Sequence, residues 1–212
     1  MTPGPVIGLI QNAALLLALG VLLDLTLRSG LARFLWTRGL IGLAIGIICV
    51  AIMSNPWTFG SGIFFDTRTI ILSLGGLFFG VVPAAIATLI AAAFRIYMGG
   101  AGVLMGVGTI VTSSLIGIAW RRYRRRELSY ISSSELLLFG LSVHSALLMW
   151  ALALPWSVVQ HVISVIAPSF LVLYPLATLI LGKLLAGQLA HTELTQSLEK
   201  SETNYRVMSS LH

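Results

Sequence analysis

Two arginines inside a long apolar stretch are the residues of this chain best suited to chemistry. Residues 63–102 read IFFDTRTIILSLGGLFFGVVPAAIATLIAAAFRIYMGGAG, and Arg68 and Arg95 lie within them. A guanidinium group is planar and can bond both oxygens of a carboxylate, so two such groups near each other favour an anionic ligand. Asp66 precedes Arg68 by two residues, and it either neutralises that arginine or caps the helix that follows.

The interruption of the apolar run between the two arginines predicts how their side chains approach each other. The sequence Gly80-Val81-Val82-Pro83 divides the apolar run into two short helices, about 69–80 and 84–98, which fold back on each other as a hairpin. Each arginine then lies ~20 Å along its helix from the turn. We therefore expect both guanidinium groups at a similar depth near the open end of the hairpin, at the edge of a membrane.

The composition predicts that membrane. Hydrophobic residues make up 57% of the chain and charged residues 9%, whereas soluble domains carry about 25% charged residues. The fold class expected is therefore an all-α polytopic membrane protein with six to seven transmembrane segments, including the short helical hairpin. The apolar segments are 6–27, 39–54, 69–80, 84–98, 102–120, 135–153 and 162–183. Because a span takes ~20 residues, the two hairpin segments either tilt, extend or form a re-entrant hairpin.

The basic residues predict the orientation of the chain. Arg28, Arg33 and Arg38 share one loop, and five arginines between residues 121 and 126 share another. Both loops should be cytoplasmic by the positive-inside rule, which places the N-terminus outside and the C-terminus inside. Topology thus accounts for the net charge of +6 without a nucleic-acid partner, and membrane lipid is the expected neighbour of these loops.

Further polar groups surround the hairpin in sequence. The aromatic and glycine-rich loop from Asn55 could cap a pocket, although its aromatic rings could equally anchor at the interface. The hydroxyls on the helix after the hairpin either complete the pocket or bond back to their own helix. The predicted ligand-binding residues are Asn55, Asp66, Arg68, Arg95, Tyr97, Gly99, Gly100, Thr109 and Ser113. The alternative is that Asp66 pairs with Arg68 while Arg95 snorkels to the headgroups.

Several chemistries are not expected. The single cysteine, Cys49, excludes an intramolecular disulfide and a cysteine-cluster metal site. No HExxH, GxSxG or P-loop motif is present, so we expect neither a metal, nor a cofactor, nor enzymatic activity in this stretch. His144 falls near mid-membrane, where it is either functional or satisfied by nearby hydroxyls.

The sequence changes character after Lys183 and becomes a polar helix. Leu184, His191 and Leu198 recur every seven residues, and Leu194 lies between the last two. This short heptad pattern indicates a helix that leaves the membrane and pairs with a second copy, so we expect a homodimer.

The motifs together resemble a known family. Asn55-Pro56, FFDTR, LFFGVVP and FRIYMGGAG, spaced as they are, resemble the five-transmembrane receptor domain of the LytS/YhcK type, a bacterial membrane sensor module. The tail LEKSETNYRVM resembles the entry to a PAS domain, which in that family leads to a histidine kinase or a cyclic-di-GMP enzyme. The resemblance implies sensing of small carboxylates such as pyruvate by Arg68 and Arg95. Gly106 and Thr109 stand where the pyruvate-sensing branch has a cysteine and a serine.

These observations divide the chain into three parts. Residues 1–27 form a transmembrane anchor, residues 28–185 the sensor domain, and residues 186–212 a signalling helix with the start of a truncated PAS-like output domain. The expected function is a ligand-sensing module in the bacterial inner membrane that binds its anion from the outer side. The rival function is a substrate-binding subunit of a membrane transporter, because the FFG-x-x-P pattern is faintly similar to such subunits of energy-coupling-factor transporters.

Overall fold

The computed structural model describes residues 17–22, 35–54, 57–58, 64–124 and 127–209, which are almost entirely helical. Residues 17–22 form a helical segment. The helices that follow are α1 (Leu35–Met53), α2 (Arg68–Phe79), α3 (Val81–Met98), α4 (Val103–Tyr123), α5 (Ser133–Ala151), α6 (Trp156–His161) and α7 (Ala167–Ser209). A short antiparallel pair, β1 (Trp57–Thr58) with β2 (Phe64–Phe65), precedes α2. A 3-10 turn (Leu128–Tyr130) precedes α5, and a π-helical turn (Val162–Ile166) joins α6 to α7.

Five of these helices are long and apolar enough to cross a membrane. Their candidate spans are Trp36–Met53, Val81–Met98, Val103–Tyr123, Ser133–Ala151 and Phe170–Leu198. The predicted all-α polytopic membrane fold is therefore confirmed. Most of the predicted N-terminal anchor, residues 1–27, lies outside the described residues, as do residues 210–212 at the other end.

Helix α2 differs from the five spans in length and in burial. Its 12 residues rise only ~18 Å, against ~30 Å for the hydrocarbon core of a bilayer. Every residue from Arg68 to Phe78 is buried. Protein therefore covers α2 on all sides, as the membrane environment requires of a helix that does not span.

The break between α2 and α3 is shorter than the sequence predicted. Only Gly80 is non-helical, with φ of 85°, in the region that favours glycine. Pro83 lies in the first turn of α3, where helical N–H groups have no intrahelical acceptor and a proline is tolerated. The prediction that α3 begins at about residue 84 was wrong, because the helix begins at Val81 and accommodates Pro83 as its third residue.

The two arms of the hairpin pack mainly against different neighbours, contrary to the expectation that they fold on each other. Helix α2 packs on α4, and a Cβ added to Gly117 would overlap the carbonyl oxygen of Ser73. Helix α3 packs on α1, where a Cβ on Gly42 would come within 2.8 Å of the Pro83 carbonyl oxygen. Glycines thus bring both helix pairs into backbone contact.

Helix α7 packs in the bundle and also forms the segment that leaves it. A Cβ on Gly140 would lie 2.9 Å from the Pro175 Cα, so α5 and α7 approach closely there. Helix α7 continues through Pro175 for 43 residues, about 64 Å at the usual helical rise. The 17–22 segment packs on this helix, since a Cβ on Gly20 would lie 3.6 Å from the Gln188 side chain.

Replacement of Gly117 by alanine should destabilise the bundle. The added Cβ would overlap the backbone of α2, which has no room to withdraw, and overpacking of this kind costs about 1–3 kcal/mol. Gly187→Ala is the matched control, because nothing lies within 4 Å of a Cβ at that position. Thermal unfolding of the purified protein in mild detergent measures both. Equal melting temperatures for the two variants would contradict the close packing of α2 on α4.

Candidate functional site

The first arginine of the site is held by the aspartate that precedes it. Asp66 follows β2, and its Oδ1 accepts a hydrogen bond of 3.0 Å from the Arg68 backbone N–H, at the start of α2. The other oxygen of Asp66 forms an ion pair with the Arg68 guanidinium. Asp66 thus fulfils both roles that the sequence left open, helix capping and charge neutralisation. Among the described residues, the buried Nε of Arg68 has no hydrogen-bond acceptor.

Arg68 lies deeper in the bundle than the sequence predicted. The next residue, Thr69, places its Oγ1 3.5 Å from the Nε2 of His144. His144 is the twelfth residue of the 19-residue helix α5. Arg68 therefore begins α2 near the middle of the bundle, and the expectation that it sits at the edge of the membrane was wrong. The reason is that α2 begins beside the middle of α5, where Thr69 faces His144.

The second arginine is buried more completely than the first. Arg95 is 1% exposed, the largest fully buried side chain among the described residues. Its Nη1 donates to the carbonyl oxygen of Gly99 at 2.7 Å. Its aliphatic stem crosses Gly106, where a Cβ would lie 3.0 Å from the Arg95 Cγ and would overlap Nε. Arg95 consequently does not snorkel to the headgroups, so this half of the alternative was wrong, whereas its other half, the pairing of Asp66 with Arg68, is observed.

The site combines charges of both signs, the Asp66–Arg68 ion pair and the second arginine, Arg95. All three side chains are buried. Within the described part of the chain, these three side chains comprise two positive charges and one negative charge. An anion is the natural complement of such a site.

The remaining predicted residues divide between the site and its surroundings. Thr109 and Ser113 are buried on α4. The Thr109 hydroxyl donates to the Gly106 carbonyl at 2.9 Å, and the Ser113 hydroxyl donates to the Thr109 carbonyl at 2.6 Å. Both hydroxyls thus bond back to their own helix, which was the predicted alternative to ligand contact. Tyr97 is 85% exposed on the outer surface of α3. The structure therefore does not bring Tyr97 to the arginines, because it lies about 200° from Arg95 around the helix axis.

The end of the site beside the turn from α3 to α4 consists of backbone and of a loop. Gly99 and Gly100 have φ values of 67° and 89°, so both adopt a conformation that favours glycine. This turn presents the Gly99 carbonyl oxygen to Arg95. Asn55 lies outside the described residues. Those residues contain no group of three or more histidine, cysteine, aspartate or glutamate side chains suited to a metal ion.

Comparison with known proteins gives the family. Residues 24–188 match the family model described as 5TMR of 5TMR-LYT, which covers most of the chain. The chain belongs to this family. No curated protein and no solved structure matches it.

Membership defines the role of the domain in general terms. A 5TMR-LYT domain is a membrane sensor module of signal-transduction proteins and is not catalytic. The five helices long enough to span a membrane agree with the five spans of the family that the sequence resembled.

For one arginine the sequence predicted only a role in membrane topology, but its side chain bonds the end of α2 that lies away from Arg68. Arg121, in the last turn of α4, donates from Nη1 to the carbonyl oxygens of Leu77 and Phe78, each at 2.8 Å. These carbonyls end α2 and have no intrahelical donor. A cation there also complements the negative end of the helix dipole. The predicted hairpin could have indicated this contact, because if both of its arms cross the membrane, its turn at Gly80 lies on the same side as the basic 121–126 loop.

His144 connects the start of α2 to α7. Its Nδ1 lies 2.7 Å from the Gly140 carbonyl oxygen, so this nitrogen carries the proton and Nε2 is left as an acceptor facing Thr69. The His144 ring contacts the edge of the Tyr174 ring, with 5.1 Å between centroids. Tyr174 in turn stacks on Phe170 at 4.1 Å. The residue next to Arg68 is thereby linked to two aromatic rings of α7.

Replacement of Gly106 by alanine should act through Arg95. The new Cβ would displace the arginine stem and cost about 1–3 kcal/mol of stability, as overpacking does. In an Arg95→Ala background the same substitution should cost almost nothing, because the obstructing side chain is absent. A double-mutant cycle measured by thermal unfolding gives the coupling. A penalty of the same size in both backgrounds would show that Gly106 does not position Arg95.

Proposed function

We propose that this domain senses a small carboxylate that binds between Arg68 and Arg95, and that it relays ligand occupancy through α7 to a cytoplasmic output domain. The observation that carries the proposal is the buried site with two guanidinium groups and one carboxylate. A charged arginine at the centre of a membrane costs about 2.5–3.5 kcal/mol on insertion scales. An anionic ligand that bonds both guanidinium groups would offset part of this cost.

The geometry of the site supports a carboxylate in particular. Asp66 occupies one nitrogen of the Arg68 guanidinium, and the buried Nε of the same group lacks an acceptor among the described residues. A carboxylate has two oxygens in one plane and can bond a guanidinium edge at two points. Pyruvate and related small acids are the ligands to test, with entry from the outer side where the Gly99–Gly100 turn ends α3.

The contacts of α2 suggest the route of the relay. A ligand that moves Arg68 also moves Thr69, which lies against His144, and the ring of His144 contacts Tyr174 of α7. Ligand binding can shift an equilibrium between two states only by its difference in affinity for them. In this proposal the states differ in the packing of Tyr174 and in the position of α7.

Helix α7 supports sensing over transport. Its sequence becomes polar after Lys183, yet the helix continues to Ser209. A transport subunit has little need of such an extension, whereas a sensor needs a connection to its output domain. The proposed output is a PAS-like domain followed by a histidine kinase or a diguanylate cyclase. The proposed location is the bacterial inner membrane, with the N-terminus outside and the C-terminus inside.

A homodimer is part of the proposal. Leu184, Leu194 and Leu198 are 48%, 60% and 62% exposed on α7. They lie within about 80° of one another around the helix axis, so they form one apolar face that a second copy could cover. Paired α7 helices would let a small shift in each sensor reach both output domains.

Substitution of either arginine should abolish carboxylate binding. Arg95→Lys keeps the charge but loses the planar fork, and Arg68→Gln removes the partner of Asp66, so each should weaken binding by at least about tenfold, or ~1.4 kcal/mol. Tyr97→Phe is the control, because Tyr97 is exposed and should leave binding unchanged. Isothermal titration calorimetry with pyruvate and related monocarboxylates measures all four proteins, including the wild type.

The outcome of calorimetry decides between a ligand site and a structural role for the arginines. Each variant is first shown to unfold cooperatively near the wild-type temperature. Absence of binding to the wild type by every acid tested, or unchanged binding in both arginine variants, would refute the proposed ligand site.

Disulfide crosslinking should detect the paired helices. In a background with Cys49→Ser, cysteines at Leu194 and Leu198 should crosslink between copies in membranes. A cysteine at Gln196 should not, since it lies about 160–200° away around the helix. The same pattern with and without a bound carboxylate, or crosslinking at all three positions, would argue against a signal passing through an ordered dimer of α7.

A further inference from the structure

We infer that the π-helical turn at Val162–Ile166 is a switch of helical register between α6 and α7. Helix α6, this turn and α7 form one continuous helix from Trp156 to Ser209. Within it, the Ala167 N–H donates to the carbonyl oxygen of Val162, five residues back instead of four. A π-helical turn holds one residue more than an α-helical turn, and such turns are frequent at functional sites. The inference rests on the proposed relay through α7, because it names the element that changes.

The extra residue determines which side chains of the long helix face the bundle. Val162 and Phe170 are both buried, and they belong to one apolar cluster with Met105 and Leu147. They are eight residues apart, which would separate them by ~80° around a regular α-helix at ~100° per residue. The extra residue of the π-helical turn takes up ~100°, so the separation falls to ~20° and both side chains face the cluster.

An α-helical form of the turn would rotate α7 relative to α6. Each side chain of α7 would take the place of the residue that follows it, a rotation of ~100° around the axis. Tyr174 would then leave the ring of His144, which it contacts with 5.1 Å between centroids, and Leu173 would take its place. The form of the turn therefore determines whether the relay meets an aromatic ring on α7.

A proline favours the π-helical form without excluding the α-helical one. Pro168 is the second residue of α7, and in an α-helix its ring clashes with the carbonyl four residues back, that of Ser164. The Ser164 hydroxyl donates to the Gln160 carbonyl oxygen at 2.8 Å, a local bond of the kind that bends helices. Helix α7 nevertheless continues in α-helical form through Pro175. The two forms are thus both accessible to this sequence, as a ligand-controlled equilibrium requires.

Fluorine NMR of the whole chain in mild detergent measures the register. In a Cys49→Ser background, a small trifluoroethyl group on a cysteine at position 173 reports exposure through the shift that dissolved oxygen induces. Leu173 is 61% exposed in the π-helical form, so the group should be accessible to oxygen in the wild type. Pro168→Ala keeps the chain length and removes the obstacle to the α-helical form. The oxygen-induced shift should then fall about twofold, as position 173 turns towards His144.

Deletion of one residue should reverse this effect. When Ile163 is deleted from the Pro168→Ala chain, an α-helical turn places Val162 and Phe170 on one side again, so the wild-type shift should return. Ile163→Ala in the same chain is the matched control, because it removes the side chain but keeps the residue, and it should behave as Pro168→Ala alone. Each variant is first shown to unfold cooperatively. An unchanged shift in Pro168→Ala, or equal shifts in the deletion and its control, would make the turn a fixed part of the fold and overturn the inference.

Addition of pyruvate separates the switch from the proposed ligand site. Pyruvate should lower the oxygen-induced shift in the wild type and leave it unchanged in the deletion variant, although calorimetry should show binding to both. Binding to the wild type with no change in its shift, or an equal change in the deletion variant, would overturn the switch. Absence of pyruvate binding to the wild type would count against the proposed carboxylate site, and the comparison of variants without acid would still decide whether two registers exist.

Discussion

A helix too short to cross a bilayer must find partners for its backbone inside the protein, and this constraint governs the structure around α2. Hydrocarbon offers no hydrogen bonds, so unsatisfied N–H and C=O groups at helix ends cost several kcal/mol each in a membrane. Asp66 accepts at one end of α2 and Arg121 donates at the other. Gly117 of α4 and Gly76 of α2 let the two helices approach closely between these contacts.

The charges of the site follow from the same constraint. The carboxylate of Asp66 accepts from the first backbone N–H of α2 and also pairs with the Arg68 guanidinium. The group that begins the helix in the interior therefore also holds the first arginine there. Arg95 has a different origin, since it comes from the wall of α3 and crosses α4 only where Gly106 leaves room. The pair is therefore built from two independent elements. A ligand that joins them would also join α2 to α3.

The features that depend on composition and periodicity could be predicted from the sequence. The apolar segments of α1 to α5 were located to within a few residues, and the family resemblance agrees with the match over residues 24–188. The burial of Arg68 and Arg95 was harder to predict. A lone arginine in an apolar run can snorkel or be buried, and only the packing of three helices decides which.

The errors have a common physical cause. Local signals predicted a four-residue break at Gly80–Pro83, an outward position for Arg68 and a site role for Tyr97. Each depends on which neighbour a helix packs against, and sequence-local patterns do not contain that information. The domain division at residues 28 and 185 stays a prediction, as do the ligand, the output domain and the dimer.

The contact made by Arg121 constrains the order in which the chain can be assembled in the membrane. Helix α2 is synthesised before α4, yet the donor for its terminal carbonyls belongs to α4. Until α4 is inserted, the end of α2 has no partner in hydrocarbon, and α2 is too short to reach water on both sides. The short helix must therefore wait at the interface or within the insertion machinery. Arg121, in the last turn of α4, then bonds the end of α2, which was translated some 40 residues earlier.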